Sequence, residues 1–162
     1  MGNAGSMEGY QVTIHDFYQR HHVKLRPEVG SAVDFEHAAD TPDQEQASWT
    51  LWPHMAFQVA LGGYITAFQW IPVDSDTTLF TEDWYFPNET PDDAQWALIR
   101  FRAAYTQPED DAVCEAVQEG LHSRGYDQGR LMIDAERSVL SEHGPHQIQL
   151  LTLRALQALS NT

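Results

Sequence analysis

The chain has 162 residues, 42% of them hydrophobic, which is enough to bury one core of ordinary size. Its 24 acidic residues against 9 lysines and arginines give a formal net charge of −15, which excludes nucleic acid and anionic membrane surfaces as favoured partners. No apolar run reaches the roughly 18 residues of a transmembrane helix, so we expect a cytoplasmic protein with no membrane partner. The single cysteine, Cys114, excludes an internal disulfide.

The first seven residues, MGNAGSM, lack the basic and apolar blocks of a signal peptide, and residues 1–7 are expected to be a flexible leader or tag. Residues 8–162 show no repeat and no low-complexity tract, which indicates a single domain. The polar stretch HAADTPDQEQAS at 37–48 predicts a surface loop within it.

The segment from Val12 to Leu25 predicts an amphipathic helix that ends before Pro27. Larger side chains recur there on neighbouring turns: Ile14, Phe17, Tyr18 and His21. Residues 30–35 predict a short strand. We therefore expect the sheet to begin after this helix.

Three segments rich in aromatic and β-branched residues, 48–61, 64–73 and 77–86, predict consecutive antiparallel strands. The turns between them are expected at Gly62-Gly63 and at Asp74-Ser75-Asp76. Several aromatic side chains alternate along these strands, so some should line whatever the sheet encloses, although core packing is the favoured explanation for each one individually: Tyr64, Phe68, Trp70, Trp84 and Tyr85.

Residues 92–105 predict a helix, Pro108 is expected to interrupt it, and residues 111–123 and 146–159 predict two more. The second helix carries an apolar stripe that should face inward, with a buried and inert thiol at its cysteine: Val113, Cys114, Val117 and Leu121. The expected core comprises Phe17, Trp52, Phe57, Trp70, Val113, Val117 and Leu153. Strands followed by helices indicate an α+β fold.

Several stretches in order resemble the catalytic domain of Rieske-type non-haem iron ring-hydroxylating oxygenase alpha subunits. PEDDAVCEAVQEGLHSRGYDQG is similar to that family's iron-ligand helix, SWTLWPHMAFQV through YITAFQWIPVDSDTTLFTEDWYFP to its central sheet, and ERSVLSEHGPHQIQLL to its closing helix. GYDQGRL and SEH most resemble the subgroup that oxidises carnitine, choline and betaines. The resemblance implies a helix-grip fold of the START or SRPBCC type.

The resemblance also implies metal ligands. Asp110, eight positions before Gln118, matches the family's iron-binding aspartate; alternatively, it only favours the positive end of the helix dipole. GYQVTIHDFYQRHHV resembles the helix of the first histidine ligand, which places His22 at the ligand and Gln19 at the acid that bridges neighbouring subunits. The alternative for His22 is a histidine that bonds backbone carbonyls or faces solvent.

The second histidine of the family should follow His22 by five residues, but Arg26 and Pro27 stand there, and neither can bind iron. One cysteine cannot hold a Rieske cluster. From these departures we expect no bound cofactor, and only weak binding of ferrous iron.

Two functions remain open on the sequence. One is a degenerate, non-catalytic relative of the oxygenase domain that keeps a cavity for a small apolar or cationic molecule and assembles as a homo-oligomer. The other is a mononuclear non-haem iron oxygenase component that receives electrons from a separate Rieske or reductase chain. The missing second histidine favours the first, so enzymatic activity stays undecided.

Overall fold

The computed structural model describes residues 9–24, 45–60 and 64–160. These residues form two compact units, the first of 9–24, 45–60, 64–87 and 131–160 and the second of 88–130. The predicted leader, the short strand at 30–35, the Gly62-Gly63 turn and residues 37–44 of the loop predicted at 37–48 lie outside the described residues. The loop prediction is wrong for residues 45–48, which begin a strand. That residues 8–162 form one domain stays a prediction.

The first unit contains a six-stranded sheet in which every neighbouring pair is antiparallel and the spatial order follows the chain. Its strands are β1 (Gln11–Ile14), β2 (Tyr18–Lys24), β3 (Glu45–Leu51), β4 (Met55–Ala60), β5 (Tyr64–Pro72) and β6 (Thr78–Tyr85). The predicted strands after residue 48 and the turn at Asp74-Ser75-Asp76 are confirmed. Residues 48–61, however, form parts of two strands, because a turn with a cis Trp52-Pro53 bond separates them.

The predicted helix from Val12 to Leu25 is wrong, because its described residues, 12–24, form the β1–β2 hairpin. The His15 amide donates to the Tyr18 carbonyl at 2.9 Å and closes the turn. Strand β2 then pairs along its whole length with β3, from Tyr18 opposite Leu51 to Lys24 opposite Glu45. This long-range pairing satisfies the backbone of β2, so tertiary context overrides the helical spacing of the side chains.

Residues directly opposite each other on antiparallel strands share a face of the sheet. One row across the sheet therefore reads Ile14, Gln19, Thr50, Ala56, Phe68 and Glu82. The buried side chains of the first unit include Gln19, Ala56, Tyr64 and Thr66 on this face. Small and polar residues thus fill the middle of the sheet.

The predicted core is largely wrong. Trp52 and Phe57 are half-buried, but the other five side chains are exposed: Phe17, Trp70, Val113, Val117 and Leu153. Phe17 is 63% exposed because it lies in the hairpin turn, and Trp70 lies in the last three residues of β5. Burial in this sheet follows the position along the strand more than side-chain size.

The second unit is a helical run with one irregular turn. Helix α1 (Asp93–Phe101) begins with a capping box in which the Gln95 amide donates to Asp92 at 2.8 Å and the Asp92 amide donates to Gln95 at 2.9 Å. A π-helical turn (Arg102–Thr106) joins it to α2 (Gln107–Leu121). Pro108 does not interrupt the helices as predicted, because it lies in the first turn of α2 and the wider turn precedes it.

The apolar stripe of α2 does not face a core within the described residues. Val113, Val117 and Leu121 are exposed, and so is Cys114, which corrects the prediction of a buried thiol. The buried side chains of this unit, Gln95 and Leu98, lie on α1. An amphipathic pattern shows which face is apolar but not whether a neighbour covers it.

Helix α3 (His143–Ser160) closes the described chain and belongs to the first unit. It begins three residues before the predicted start at His146, because the His146 amide already donates to the Glu142 carbonyl at 3.1 Å. Its N-terminal end contacts β1, so the helix lies against the sheet face that carries Gln19. This arrangement confirms the predicted α+β class.

Candidate functional site

A buried chain of hydrogen bonds joins the β1–β2 hairpin to the start of α3. Gln19, only 2% exposed, donates from Nε2 to the Gly144 carbonyl oxygen at 2.7 Å. Its Oε1 must then accept, so His21 donates to it from Nε2 at 3.2 Å. The assignment follows because a carbonyl oxygen can only accept a hydrogen bond.

Tyr10 completes this chain of bonds. Since His21 carries its proton on Nε2, its Nδ1 accepts from the Tyr10 hydroxyl at 2.5 Å. Burial, and after it the charge of His143, lowers the pKa of His21, while burial raises the pKa of Tyr10. Both shifts favour the neutral forms. The hydrogen-bonded cluster of Tyr10, Gln19 and His21, called the clamp below, is therefore uncharged.

Two further contacts fix α3 on the hairpin. His143 Nε2 donates to the Val12 carbonyl at 3.2 Å, and the side-chain amide of Gln147 donates to the His15 carbonyl. Gly144 is required between them, because a Cβ atom there would lie 2.7 Å from Gln19 Oε1. The start of α3 is therefore positioned by side chains far apart in sequence.

A groove of about 410 Å³ opens beside this contact, entirely within the first unit. One face of α3 forms its longest side with His143, His146, Gln147, Leu150, Leu151 and Arg154, at helical spacing. The hairpin turn adds Ile14, His15 and Asp16, and the 131–142 segment adds Ile133 and Arg137. The groove therefore combines an apolar wall with several basic side chains.

The 131–142 segment is held by local hydrogen bonds. The Asp134 carboxylate accepts from the Ser138 amide at 2.9 Å and from the Ser138 hydroxyl at 2.5 Å. These bonds from Ser138 are the main reason that the pKa of Asp134 is lowered. Arg137, inside the loop so formed, has φ 52°, a left-handed conformation that is uncommon for a residue with a side chain. The fold thus holds this arginine at the groove against a backbone preference.

Aromatic rings cover another part of the same sheet face. One cluster contains Tyr64, Trp84 and Phe86, whose ring centroids are 5.3 Å, 5.8 Å and 6.0 Å apart. The other contains Phe68, Trp70 and Phe80, whose ring centroids are 6.1 Å, 6.0 Å and 5.6 Å apart. These two aromatic clusters contain four of the five rings predicted from the alternation; Tyr85 points to the other face and is exposed.

The two residues expected to bind iron belong to different units of the structure. Asp110 lies in the first turn of α2, exposed, in the second unit. His22 lies on β2 in the first unit, on the face opposite Gln19, because side chains alternate along a strand. The helix on which the positions of His22 and Gln19 were matched is absent, so their roles stay predictions without that support. Among residues 9–24, 45–60 and 64–160, no three His, Cys, Asp or Glu side chains are grouped to hold a metal.

Neither the clamp nor the groove was predicted from the sequence, although one stretch indicated a close contact. The stretch SEHGPH places a histidine and a glycine immediately before an apolar helical repeat, which indicates a close contact at a helix start. Nothing local shows that the contact is with Gln19. None of the described helices has the length and apolar character needed to cross a membrane.

Comparison with known proteins relates most of the chain to one family. The model of the ring hydroxylating alpha subunit (catalytic domain) matches residues 2–144. Carnitine monooxygenase oxygenase subunits of Escherichia coli K12 and Acinetobacter baumannii are each 46% identical to it, over 96 and 98 residues. These matches cover 58% and 59% of the chain but only 26% of each relative, so the chain spans about a quarter of their length.

Comparison with solved structures gives the same family. The quaternary ammonium Rieske monooxygenase CntA with the inhibitor MMV12 superimposes with a TM-score of 0.81 and 33% identity, over 93% of this chain and 39% of CntA. CntA with its substrate L-carnitine gives 0.74 and 33%, over 90% and 36%. The chain therefore belongs to the catalytic-domain family of ring-hydroxylating oxygenase alpha subunits.

Proposed function

We propose that this chain forms part of the catalytic domain of a mononuclear non-haem iron oxygenase that acts on a small quaternary ammonium compound. Membership of the family supports the reaction class. The similarity to carnitine monooxygenase subunits and to CntA bound to L-carnitine supports the substrate class. Carnitine itself is the leading candidate substrate.

The observation that carries the proposal is the placement of Asp110. It lies in the first turn of α2, exposed, eight positions before Gln118, as the family's iron-binding aspartate does. A carboxylate beside two imidazoles is a donor set that suits ferrous iron, which in such sites supplies oxygen activation. Asp110 would supply the carboxylate, His22 stays the candidate for one imidazole, and no three-ligand group occurs within the described residues.

The degenerate, non-catalytic alternative has lost most of its basis. The arguments from Gln19 and from Arg26-Pro27 both required a helix across 12–25, but residues 12–24 form a hairpin. The argument from the missing cluster cysteines concerns a chain that spans only 26% of its relatives. None of these three departures now weighs against iron in the complete protein.

The aromatic clusters support a cationic substrate. Rings at the face of a sheet can hold a quaternary ammonium group by cation–π attraction, worth about 0.5–2 kcal/mol per contact. Trp84 is the leading candidate, because tryptophan attracts a cation more strongly than tyrosine or phenylalanine does. For CntA, inter-subunit electron transfer has been described. We accordingly propose a homo-oligomer in which this domain takes electrons from the Rieske domain of a neighbouring subunit.

Anaerobic loading of the complete protein with ferrous iron, followed by metal analysis, tests the proposal. We expect stoichiometric iron in the wild type and at least a tenfold loss of affinity in Asp110→Asn, since a carboxylate ligand becomes a weaker neutral donor. Glu109→Gln, one residue earlier in the same turn, is the matched control and should keep its iron. A wild-type protein without iron would instead establish the degenerate function.

A further inference from the structure

The groove beside α3 has a charge composition opposite to that of the chain. The protein carries a formal net charge of −15, yet this groove is lined by Arg137 and Arg154 against a single carboxylate, Asp16. Neither guanidinium makes an ion pair or a hydrogen bond within the described part of the chain. Two of the nine basic side chains thus meet at one concave surface without an acidic partner.

A buried imidazole lies at the same place. His143 is 7% exposed and uses Nε2 to bond Val12, which leaves Nδ1 without a hydrogen-bond partner among the described residues. Buried polar atoms are nearly always paired, so an exception calls for an explanation such as a ligand. Gln147 Oε1, also at the groove, lacks a partner in the same part of the chain. While Nε2 of His143 holds the proton, both atoms can only accept, so they call for a donor such as water or a hydroxyl and do not pair with an anionic head.

The rest of the lining limits the ligand. Ile14, Ile133, Leu150 and Leu151 give the groove an apolar wall, and a volume of about 410 Å³ is that of a small-molecule site. An arginine presents a planar fork of donors that matches a carboxylate or a phosphate. The occupant should therefore have an apolar body and an anionic head.

We propose that this groove is a binding site for a small organic anion, with Arg137 and Arg154 as the groups that hold its carboxylate. The left-handed backbone of Arg137, locked by the Asp134–Ser138 bonds, keeps one guanidinium at the rim. The helical spacing of α3 places Arg154 on the same side as His143 and His146. The site involves only residues of the first unit and none of the residues proposed to bind iron.

Titration calorimetry at low ionic strength with hexanoate, hexanamide and inorganic phosphate tests the site. Hexanoate should bind, and Arg154→Gln or Arg137→Gly should each weaken it by about tenfold, the scale of one charge-assisted contact. Arg137→Gly suits a left-handed residue, so its folding should not suffer. Arg124→Gln, which removes the same charge from a residue that does not line the groove, should bind hexanoate as the wild type does.

The other possible results of these titrations either overturn the anion site or identify a different anion as its ligand. Hexanamide binding as tightly as hexanoate would show an apolar pocket and overturn the anion site. Equal hexanoate affinity in the wild type and the double variant Arg137→Gly/Arg154→Gln, or no hexanoate binding at all, would do the same. Phosphate that displaces hexanoate and binds more tightly would support the anion site and assign it to a phosphate ligand.

Discussion

The side-chain amide of Gln19 and the carbonyl oxygen of Gly144 form a 2.7 Å hydrogen bond across 125 positions of sequence. It joins the second strand of the sheet to the first turn of the closing helix, and both partners are buried. Because a buried carbonyl that loses its donor incurs the full cost of desolvation, this contact should be sensitive to small changes. The structure allows the effects of several such substitutions to be predicted.

Gly144→Ala should destabilise the protein by about 1–3 kcal/mol, because the new Cβ would lie 2.7 Å from Gln19 Oε1 and force the bond apart. Urea denaturation measures the change in the free energy of unfolding. Gly120→Ala is the matched control: nothing lies within 4 Å of its Cβ, and alanine in helix α2 should stabilise by about 0.5–1 kcal/mol. Similar effects of the two substitutions would contradict the close contact at Gly144.

Gln19→Glu should cost about 2–3 kcal/mol near neutral pH, since a buried carboxylate would face the Gly144 carbonyl and could not donate to it. The cost should shrink as the pH falls, because the protonated acid regains a donor. Gln11→Glu on exposed β1 should change stability by under about 0.5 kcal/mol. A pH-independent cost for Gln19→Glu would show that its side chain is not held against Gly144.

The pKa of His21 is lowered by burial and then by the charge of His143, so the folded protein takes up this proton less readily than the unfolded chain does. Unfolded histidine titrates near pH 6.5, about the reference value. Stability is therefore complete above that pH and is lost as the pH falls through it towards the lower folded pKa. Denaturation curves between about pH 7 and 5 should show this decline.

His21→Gln should flatten that decline, whereas His54→Gln, at an exposed turn position, should leave its slope unchanged. Equal slopes in all three proteins would mean that another group dominates the pH dependence. His143 is the group to examine next, because its charge acts on His21.

Trp70→Ala should cost only about 1–2 kcal/mol, because the ring is 42% exposed and much of its surface already meets solvent. Tyr64→Ala, at 8% exposure on the same strand, should cost about 3 kcal/mol or more. Thermal or urea unfolding of the pair measures the difference. If the Trp70 substitution proved the more damaging one, the described end of β5 would have to be covered in solution.

The sheet after residue 48 was predictable because its signals are local. Residues 64–72 are rich in aromatic and β-branched side chains and end at the Asp74-Ser75-Asp76 turn, where the Asp74 carboxylate accepts from the Asp76 amide at 2.9 Å. Between β1 and β2, by contrast, the turn is His15, Asp16 and Phe17, with no glycine or proline to mark it. The helical spacing of Ile14 and Tyr18 therefore remained the stronger local pattern.

The candidate site likewise has one part that the sequence predicts and one part that it does not. Asp110 belongs to a continuous motif with fixed spacing to Gln118, so one stretch of sequence suffices to propose it. The groove requires the hairpin turn, the 131–142 segment and α3 to meet, and no property of any one segment predicts that. Arg137 and Arg154 are unremarkable in sequence and become significant only through their shared concave surface.

The π-helical turn at Arg102–Thr106 determines the direction in which the side chains of α2 leave the helix, relative to those of α1. Successive residues of an α-helix are about 100° apart, and a π turn accommodates one residue more than an α turn would. Removing a single residue from this turn would turn α2 by about 100° about its own axis relative to the capped start at Asp92. The carboxylate of Asp110 would then leave the helix on a different side, although no residue of α2 had changed.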